Sequence, residues 1–386
     1  MRHAPALAGV ALAGLLLALT GAEVALRFVP LRERKAHFVS DPVLHHRLRE
    51  SWQGSVQGHP YRTNALGLRD REIGAKPPDA VRVLMLGDSF TEGGGLADDE
   101  TIPRRTEAAL RATCPAAEVI NAGVASYSPI LELLSLRKIS GAVRPDVVVV
   151  NLDMTDVHDD LIRTQLAELD AARLPARVVT DRRRETALVL PPALPHALRP
   201  VDDALAHLLL WQSLRKTPAG RRVLGELNLD EPSLAKRGLL GNLRYDRLAI
   251  TRDTTAMGES AAWDATGRYL AAIHRTAEAA NARVLVVAYP YPHQVAAFES
   301  PGGRARFGIG AGLYDSDRPF RTVEELGRRH GFGVVSLRET FRRNADPARP
   351  LFRPDDVHHT AAGARVMGDA IAAALMERGL LPGCTR

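Results

Sequence analysis

The chain of 386 residues is long enough to bury one large α/β core and still carry an additional segment. Hydrophobic residues make up 45% of the sequence and charged residues 25%, which excludes a chain that is disordered over most of its length. The net charge of +6 comes from scattered arginines without a basic stripe interleaved with aromatic residues, so no nucleic acid is expected as a partner.

The first element is an apolar stretch, Ala4 to Ala22, that contains no charged residue. Its length is that of a helix that crosses a bilayer, so it predicts a signal peptide or, as we favour, an uncleaved membrane anchor. More basic residues follow the stretch than precede it, which by itself would place the rest of the chain in the cytoplasm. We assign residues 1–35 to this anchor and its flank.

A lead-in segment, residues 36–80, comes next and shows no strong periodicity of apolar residues. Its most ordered-looking part runs from His59 to Arg69. We interpret this part as a loop that packs against the domain that follows.

The main domain, predicted over residues 81–380, begins with the apolar run Val81 to Leu86, which is typical of a strand buried on both faces of a parallel sheet. Gly87, Asp88 and Ser89 follow, so a serine hydroxyl lies at the carboxyl end of a strand, where open α/β sheets bind ligands. A serine is inert at neutral pH unless a base accepts its proton. Ser89 is therefore the candidate nucleophile, and it requires a histidine elsewhere.

Strands and helices alternate through the rest of the domain, which predicts an α/β fold. The predicted strands are Glu118–Asn121, Val147–Leu152, Arg283–Ala288 and Val334–Leu337, and the predicted helices are Pro103–Ala112, Pro129–Ser140, Trp263–Ala280 and one that begins after Thr360. Residues from about 157 to 262 are too many for an ordinary crossover. We predict a helical insert there, either a lid over the site or a structural layer.

The candidate base lies in Asp355-Asp356-Val357-His358-His359-Thr360, just before the last helix. The doubled residues allow two Asp-x-x-His registers, Asp355 with His358 and Asp356 with His359. A metal site that combines these side chains with His158 is an alternative, but no recognised ligand spacing supports it.

Gly-Asp-Ser at the first strand together with Asp-x-x-His before the last helix resembles the SGNH (GDSL) hydrolase family. The resemblance implies a three-layer α/β/α flavodoxin-like fold with a parallel sheet and no cofactor or metal. It also implies a triad in which Ser89 attacks an ester, His358 accepts its proton and Asp355 orients the imidazole. Asp355 with His358 is the preferred register, because Gly363 follows His358 at the family's spacing.

The resemblance also assigns the groups that hold the oxyanion. The family uses a backbone N–H of a glycine after the second strand and the side chain of an asparagine after the third strand. Gly123 matches the glycine, but Thr155 stands where the asparagine is expected. A threonine hydroxyl is shorter and can bond to its own backbone, so one donor is in question.

The function implied is a serine esterase that removes acetyl or other small acyl groups from an envelope glycan or a lipid. Alternatives are an O-acyltransferase on an exported polysaccharide and a weakly active binding or assembly protein. Similar anchored family members of bacteria face the periplasm, so we expect a protein of the inner membrane with its catalytic domain outside the cytoplasm. That compartment would allow Cys114 and Cys384 to form a disulfide, because they follow the first and last helices of the domain.

Overall fold

The structure is a computed structural model that describes residues 14, 17–25, 37–180, 208, 210–211, 231–307, 309 and 312–384. The chain divides into two compact units, Met1–Ala36 with Leu190–Asn228 and His37–Val189 with Leu229–Arg386. In the smaller unit, residues 17–25 are helical, and the Leu210 backbone N–H donates to Glu23 Oε2 at 2.8 Å.

Two predicted segments fall largely outside the described residues, namely the anchor Ala4–Ala22 and the middle of the insert 157–262. Across the part of the chain that is described, no helix combines the length and the apolar character needed to cross a bilayer. The anchor and the lid therefore stay predictions.

The larger unit alternates strands and helices. Its strands are β1 (Phe38–Asp41), β2 (His45–Leu48), β3 (Gln53–Val56), β4 (His59–Arg62), β5 (Val81–Gly87), β6 (Ala117–Gly123), β7 (Val147–Leu152), β8 (Ala167–Leu169), β9 (Pro175–Val178), β10 (Arg283–Ala288) and β11 (Gly333–Ser336). Its helices are α1 (Ser89–Glu92), α2 (Ile102–Arg111), α3 (Pro129–Val143), α4 (Asp156–Thr164), α5 (Glu231–Lys236), α6 (Glu259–Ala279), α7 (Pro301–Phe307), α8 (Arg318–His330), α9 (Arg338–Asn344) and α10 (Ala361–Glu377).

The core is a parallel sheet of five strands in the order β11-β10-β7-β5-β6. Every residue of β5 and of β7 is buried. Because successive side chains of a strand point to opposite faces, both faces of the sheet are covered. The predicted parallel α/β sheet is confirmed, and the carboxyl ends of β5, β6 and β7 bring residues 87–89, 123–128 and 153–156 to one edge.

The lead-in segment is more ordered than the sequence indicated. It forms two antiparallel hairpins, β1 with β2 and β3 with β4. These strands are four residues long and their burial patterns do not alternate cleanly, which explains why no periodicity was visible.

Helices α2 and α10 pack against each other and carry a covalent link at their ends. Cys114 follows α2, Cys384 follows α10, and the two form a disulfide with their Cα atoms 5.3 Å apart. The pairing expected from the positions of the two cysteines is confirmed. Thr360 begins α10 as predicted, since its hydroxyl accepts from the Gly363 N–H at 3.3 Å.

Candidate active site

Ser89 is placed by the turn that joins β5 to α1. Asp88 caps α1, because its carboxyl Oδ1 accepts from the Phe90 N–H at 2.9 Å. Gly87 has a φ of +155°, and a Cβ at this position would lie 2.2 Å from Thr91 Oγ1. The turn therefore requires glycine, and it presents the serine as the first residue of α1.

The hydroxyl of Ser89 contacts an imidazole from the other end of the chain. Ser89 Oγ lies 2.8 Å from His358 Nε2, and His358 Nδ1 lies 2.9 Å from Asp356 Oδ1. By contrast, the Ser89 hydroxyl lies 3.5 Å from Asp88 Oδ2. Serine, histidine and aspartate thus form a continuous hydrogen-bonded chain at the carboxyl edge of the sheet.

The ionisation of Asp356 determines which nitrogen of His358 carries a proton. Burial raises the pKa of Asp356, but the hydrogen bond and the attraction of His358 outweigh it and hold this pKa at about 2. An ionised carboxylate can only accept, so His358 carries its proton on Nδ1. Nε2 is then an acceptor and faces the Ser89 hydroxyl.

The prediction that Asp355 orients His358 is corrected by this geometry. Val357 is 3% exposed and points into the core, so its two neighbours, Asp356 and His358, share the opposite side of the chain. Asp355 is exposed, and the described contacts of His358 Nδ1 go to Asp356 instead. The spacing is Asp-x-His, which neither predicted register contained.

His359 is a core residue. It is 3% exposed and packs among aromatic rings, with centroid distances of 4.9 Å to Phe90, 5.2 Å to Phe341 and 5.0 Å to Phe352. Neither ring nitrogen finds a hydrogen-bond partner among the described residues. The imidazole that contacts Ser89 is therefore that of His358, and the register Asp356 with His359 is not the one that the structure shows.

The turn after β6 was predicted to supply an oxyanion donor from Gly123. In the structure the Gly123 N–H donates to Asn121 Oδ1 at 3.0 Å, and a Cβ on Gly123 would lie 2.3 Å from the Glu92 nitrogen. Gly123 therefore allows close packing against α1, and its amide is already bonded.

Three further amides of this turn, those of residues 124, 125 and 127, also have acceptors. Val124 N–H donates to the Gly87 carbonyl, Ala125 N–H to Glu92 and Tyr127 N–H to the Val124 carbonyl. Ser126 adopts a left-handed φ of +63°, and the structure shows no acceptor for its N–H among the residues it describes. Among the amides of residues 123–127, that of Ser126 is the one for which the structure describes no acceptor, and Ser126 is exposed.

Thr155 lies at the end of β7, as predicted, but its hydroxyl is occupied. Its Oγ1 donates to Asp153 Oδ1 at 2.9 Å, and its backbone N–H donates to the same oxygen at 2.6 Å. A hydroxyl carries one proton, so a bond to Asp153 leaves none for an oxyanion.

Beside Ser89, two acids form a buried carboxyl pair, Asp88 and Asp153. Burial, and then the negative charge of Asp153, raise the pKa of Asp88 well above its usual range, and burial also raises the pKa of Asp153. The hydroxyl of Tyr289 donates to Asp88 at 3.3 Å and that of Tyr291 to Asp153 at 3.1 Å. The raised pKa values favour a proton on the pair, which reduces the negative charge next to Ser89.

The loop that carries Asp356 and His358 is held from both sides. Buried Glu299 accepts the Leu351 and Phe352 N–H groups, each at 3.0 Å, and the Ser300 hydroxyl donates to the Asp356 carbonyl at 2.7 Å. Across the site, the Arg353 guanidinium donates to Gln57 of the β3–β4 turn and to the carbonyls of Gly94 and Gly95. His358 is thereby tied to the segment that follows Ser89.

No curated protein matches the chain. The model of the GDSL-like lipase/acylhydrolase family matches residues 85–366, which include Ser89, Asp356 and His358. The chain belongs to this family. Members of this family are acylhydrolases, so membership implies that this GDSL-like acylhydrolase is an ester hydrolase. Within the described residues, no group of three or more histidine, cysteine, aspartate or glutamate side chains is arranged to hold a metal ion.

The chain is also similar to several solved structures, including the following three. TesA has 12% sequence identity and a TM-score of 0.39, covering 78% of this chain and 99% of its own. The acetyl xylan esterase AlAXEase has 14% identity and a TM-score of 0.37, covering 76% and 100%. The esterase EstA from Pseudoalteromonas sp., inhibited by monoethylphosphonate, has 12% identity and a TM-score of 0.38, covering 77% and 97%.

Two features of this edge of the sheet were not predicted from the sequence, the contact of His358 with Asp356 and the Ser126 amide without a described acceptor. Asp356 was visible in the doubled Asp-Asp and His-His pairs, but both registers assumed a spacing of three. Ser126 gave no signal, because serine rarely indicates a left-handed backbone.

We expect the His359→Phe variant to lose less stability than the wild type when the pH is lowered. Burial lowers the pKa of His359 to about 3, whereas the unfolded state binds a proton below about 6.5. Stability is therefore lost as the pH falls from about 6.5 towards 3, and at pH 5 His359 accounts for about 2 kcal/mol of that loss. Urea unfolding at pH 7 and pH 5 measures it. Burial also lowers the pKa of His293 to about 3, but His293 is present in both proteins, so the stability that it costs at acid pH is the same in each. Equal losses in wild type and variant would contradict this role of His359.

We expect Thr155→Asn to raise kcat on small acyl esters several-fold, because an asparagine amide has two N–H groups and can bond Asp153 and an oxyanion together. Steady-state kinetics at saturating ester measures this. Thr155→Ser, which keeps a single hydroxyl proton, is the matched control and should leave kcat unchanged. A folded Thr155→Asn protein with an unchanged or lower kcat would show that no donor is missing at this position.

Proposed function

We propose that this GDSL-like acylhydrolase is a serine esterase that removes acetyl or other small acyl groups from an ester-bearing glycan or lipid. The observation that carries the proposal is the continuous chain from Ser89 Oγ through His358 to Asp356, with contacts of 2.8 and 2.9 Å. This arrangement supplies a nucleophile, a base with the correct tautomer and a charge that stabilises the base once protonated.

In the first half of the reaction, Ser89 Oγ attacks the carbonyl carbon of the ester while its proton moves to His358 Nε2. The Asp356 carboxylate stabilises the imidazolium that forms. Collapse of the tetrahedral intermediate breaks the ester C–O bond, and His358 returns the proton to the leaving alcohol. In the second half, water attacks the acyl-Ser89 carbonyl, gives a proton to His358, and the carboxylic acid leaves as Ser89 regains its hydroxyl proton.

The oxyanion of this intermediate would be held by backbone amides. Ser89 is the first residue of α1, so its N–H lacks an intrahelical acceptor, and the Ser126 N–H has no described acceptor either. Both follow strands that end at the same edge of the sheet, which supports them as the donor pair. A proton on the Asp88–Asp153 carboxyl pair keeps a second negative charge away from this developing charge.

The test uses the purified full-length protein with a fluorophosphonate probe and, separately, with p-nitrophenyl acetate. We expect the probe to label Ser89 by mass spectrometry and the ester to be hydrolysed. Ser89→Ala should abolish both. Ser135→Ala, which removes the hydroxyl of a buried serine on α3, should change neither. A wild-type protein that the probe does not label and that does not cleave the ester would refute the proposal.

The same assay separates hydrolysis from acyl transfer. An esterase releases p-nitrophenol continuously in water. One burst of about one equivalent, followed by turnover only after a sugar acceptor is added, would instead identify an O-acyltransferase on the same residues.

We further propose that the catalytic domain lies outside the cytoplasm, held at the inner membrane by residues 4–22. The disulfide between Cys114 and Cys384 supports this location, because disulfides persist in oxidising compartments. Reporter fusions after Arg386 test it. A reporter that is active only in the cytoplasm would refute the location.

A further inference from the structure

The C-terminal end of α1 is held by Arg69 of the lead-in segment. The Arg69 side chain is 1% exposed. Its Nη1 donates to the carbonyl oxygen of Glu92 at 2.9 Å and to that of Gly93, and its Nη2 donates to the carbonyl oxygen of Leu96 at 2.8 Å. One guanidinium thus binds three backbone carbonyl oxygens, one from the last residue of α1 and two from the segment that follows it.

Tyr61, on β4, supports both Arg69 and the helix. Its ring lies under the guanidinium, with 4.6 Å from the Arg69 Cζ to the ring centroid. Its hydroxyl donates to Glu92 Oε1 at 2.8 Å, while Glu92 Oε2 accepts the Ala125 N–H at 2.6 Å. The last residue of α1 is therefore fixed through its backbone by Arg69 and through its side chain by Tyr61.

These contacts matter because α1 is a single turn of four residues. So short a helix is not stable on its own, and its last carbonyl groups have no intrahelical donors. A cation at the C-terminal end satisfies these carbonyls and interacts favourably with the helix dipole. The orientation of α1, and with it the 2.8 Å contact of Ser89 with His358, depends on partners outside the helix.

We propose that Arg69 is a positioning residue for Ser89: its guanidinium and the ring and hydroxyl of Tyr61 form a clamp that holds α1 in the orientation needed for attack. The lead-in segment is then a part of the active site rather than a loop that covers the sheet. This inference rests on the proposed function of Ser89 as the nucleophile.

The matched control is Arg82, another buried arginine. It lies near the N-terminal end of β5, whereas Ser89 follows the C-terminal end of the same strand. Its guanidinium donates to Glu118 Oε2 at 2.6 Å and to the carbonyls of Val143 and Gly74, each at 3.0 Å. Arg82→Lys and Arg69→Lys both keep the charge and remove the planar set of donors, but only Arg69→Lys removes them from α1.

The first measurement is kinetic. We expect Arg69→Lys to lower kcat and the maximal rate of fluorophosphonate labelling by about 10- to 100-fold with KM within about twofold, because a displaced nucleophile slows the chemical step. Arg82→Lys should keep kcat within about twofold of wild type, even if it lowers the Tm as much as Arg69→Lys does. If Arg69→Lys keeps kcat, or loses no more than Arg82→Lys at an equal Tm, the clamp is not a positioning device.

The second measurement does not depend on activity. Hydrogen–deuterium exchange of the full-length protein should show faster exchange of residues 88–96 in Arg69→Lys, and no change there in Arg82→Lys. Unchanged exchange at residues 88–96 would overturn the inference even if the wild type hydrolyses esters. Faster exchange in Arg69→Lys, with a wild type that is neither labelled by the probe nor able to cleave the ester, would uphold the clamp on α1 and reject the proposed function.

Tyr61→Phe provides a milder variant should Arg69→Lys not fold. It keeps the ring under the guanidinium and removes only the hydroxyl bonded to Glu92. We expect kcat to fall several-fold and exchange at residues 88–96 to rise. Tyr269→Phe, which removes a buried hydroxyl bonded to Thr164 instead, should do neither, and equal effects of the two would count against the clamp.

Discussion

Replacing Asp356 with asparagine is expected to lower kcat on a small acyl ester by about 10³- to 10⁴-fold, whereas Asp355→Asn should change kcat by less than about twofold. The carboxylate of Asp356 accepts from His358 Nδ1 at 2.9 Å, and the attraction between the two holds the pKa of Asp356 at about 2 against the effect of burial. An asparagine amide would favour the wrong tautomer, with the proton on Nε2 and no base facing Ser89.

Steady-state kinetics of the two variants decides between the two aspartates. The aspartates are adjacent in sequence, and each substitution makes the same chemical change. Both should keep the wild-type Tm within a few degrees, so that folding does not explain the difference. A large loss in Asp355→Asn with little loss in Asp356→Asn would restore the Asp355/His358 register and contradict the geometry of the loop. Equal large losses of kcat would show that both substitutions disturb the loop as a whole, so that neither carboxylate could be assigned the role of orienting His358.

Breaking the disulfide is expected to lower the free energy of unfolding by about 3–5 kcal/mol. Cys114 and Cys384 are 270 residues apart in sequence, so their bond constrains a long loop of the unfolded chain, and the entropic gain grows with loop length. The bond also joins α2 to α10, the helix that follows the His358 loop. Opening it should therefore weaken the attachment of that loop as well as the whole domain.

Urea unfolding of Cys114→Ser, Cys384→Ser and the double variant measures this loss. The three should be destabilised equally, because either single substitution already removes the bond. Wild-type protein unfolded in the presence of a reductant should match the variants and should differ from oxidised wild type. If oxidised and reduced wild type unfold at the same urea concentration, the bond does not stabilise the native protein.

The sequence determined the sheet and its nucleophile turn. Val81–Leu86 and Val147–Leu152 are apolar at all but one position each, which predicts strands buried on both faces. The Gly-Asp-Ser turn after the first strand places Ser89 at the carboxyl edge of the sheet. The helix after Thr360 was equally readable, because an N-cap and an apolar stripe are local signals. These features depend on residues that are close together in the chain.

The tertiary structure decided which neighbouring residue takes which role. Asp355 and Asp356 are chemically identical, and the burial of Val357 turns Asp356, not Asp355, towards His358. His358 and His359 are likewise equivalent until the cluster of Phe90, Phe341 and Phe352 encloses His359. Such choices depend on which side of the backbone meets the core, and a motif that fixes only spacing does not contain that information.

The same limit applies to groups that act from a distance along the chain. Arg69 and Tyr61 contact Glu92 of α1 across 23 and 31 residues of sequence, and the strands in their part of the chain are too short to show a period. The Gly123 amide matched a family position, yet it donates to the Asn121 side chain, whereas the structure describes no acceptor for the nearby Ser126 amide. Local patterns fixed the sheet and the serine, whereas hydrogen-bond competition between segments fixed the partners of that serine.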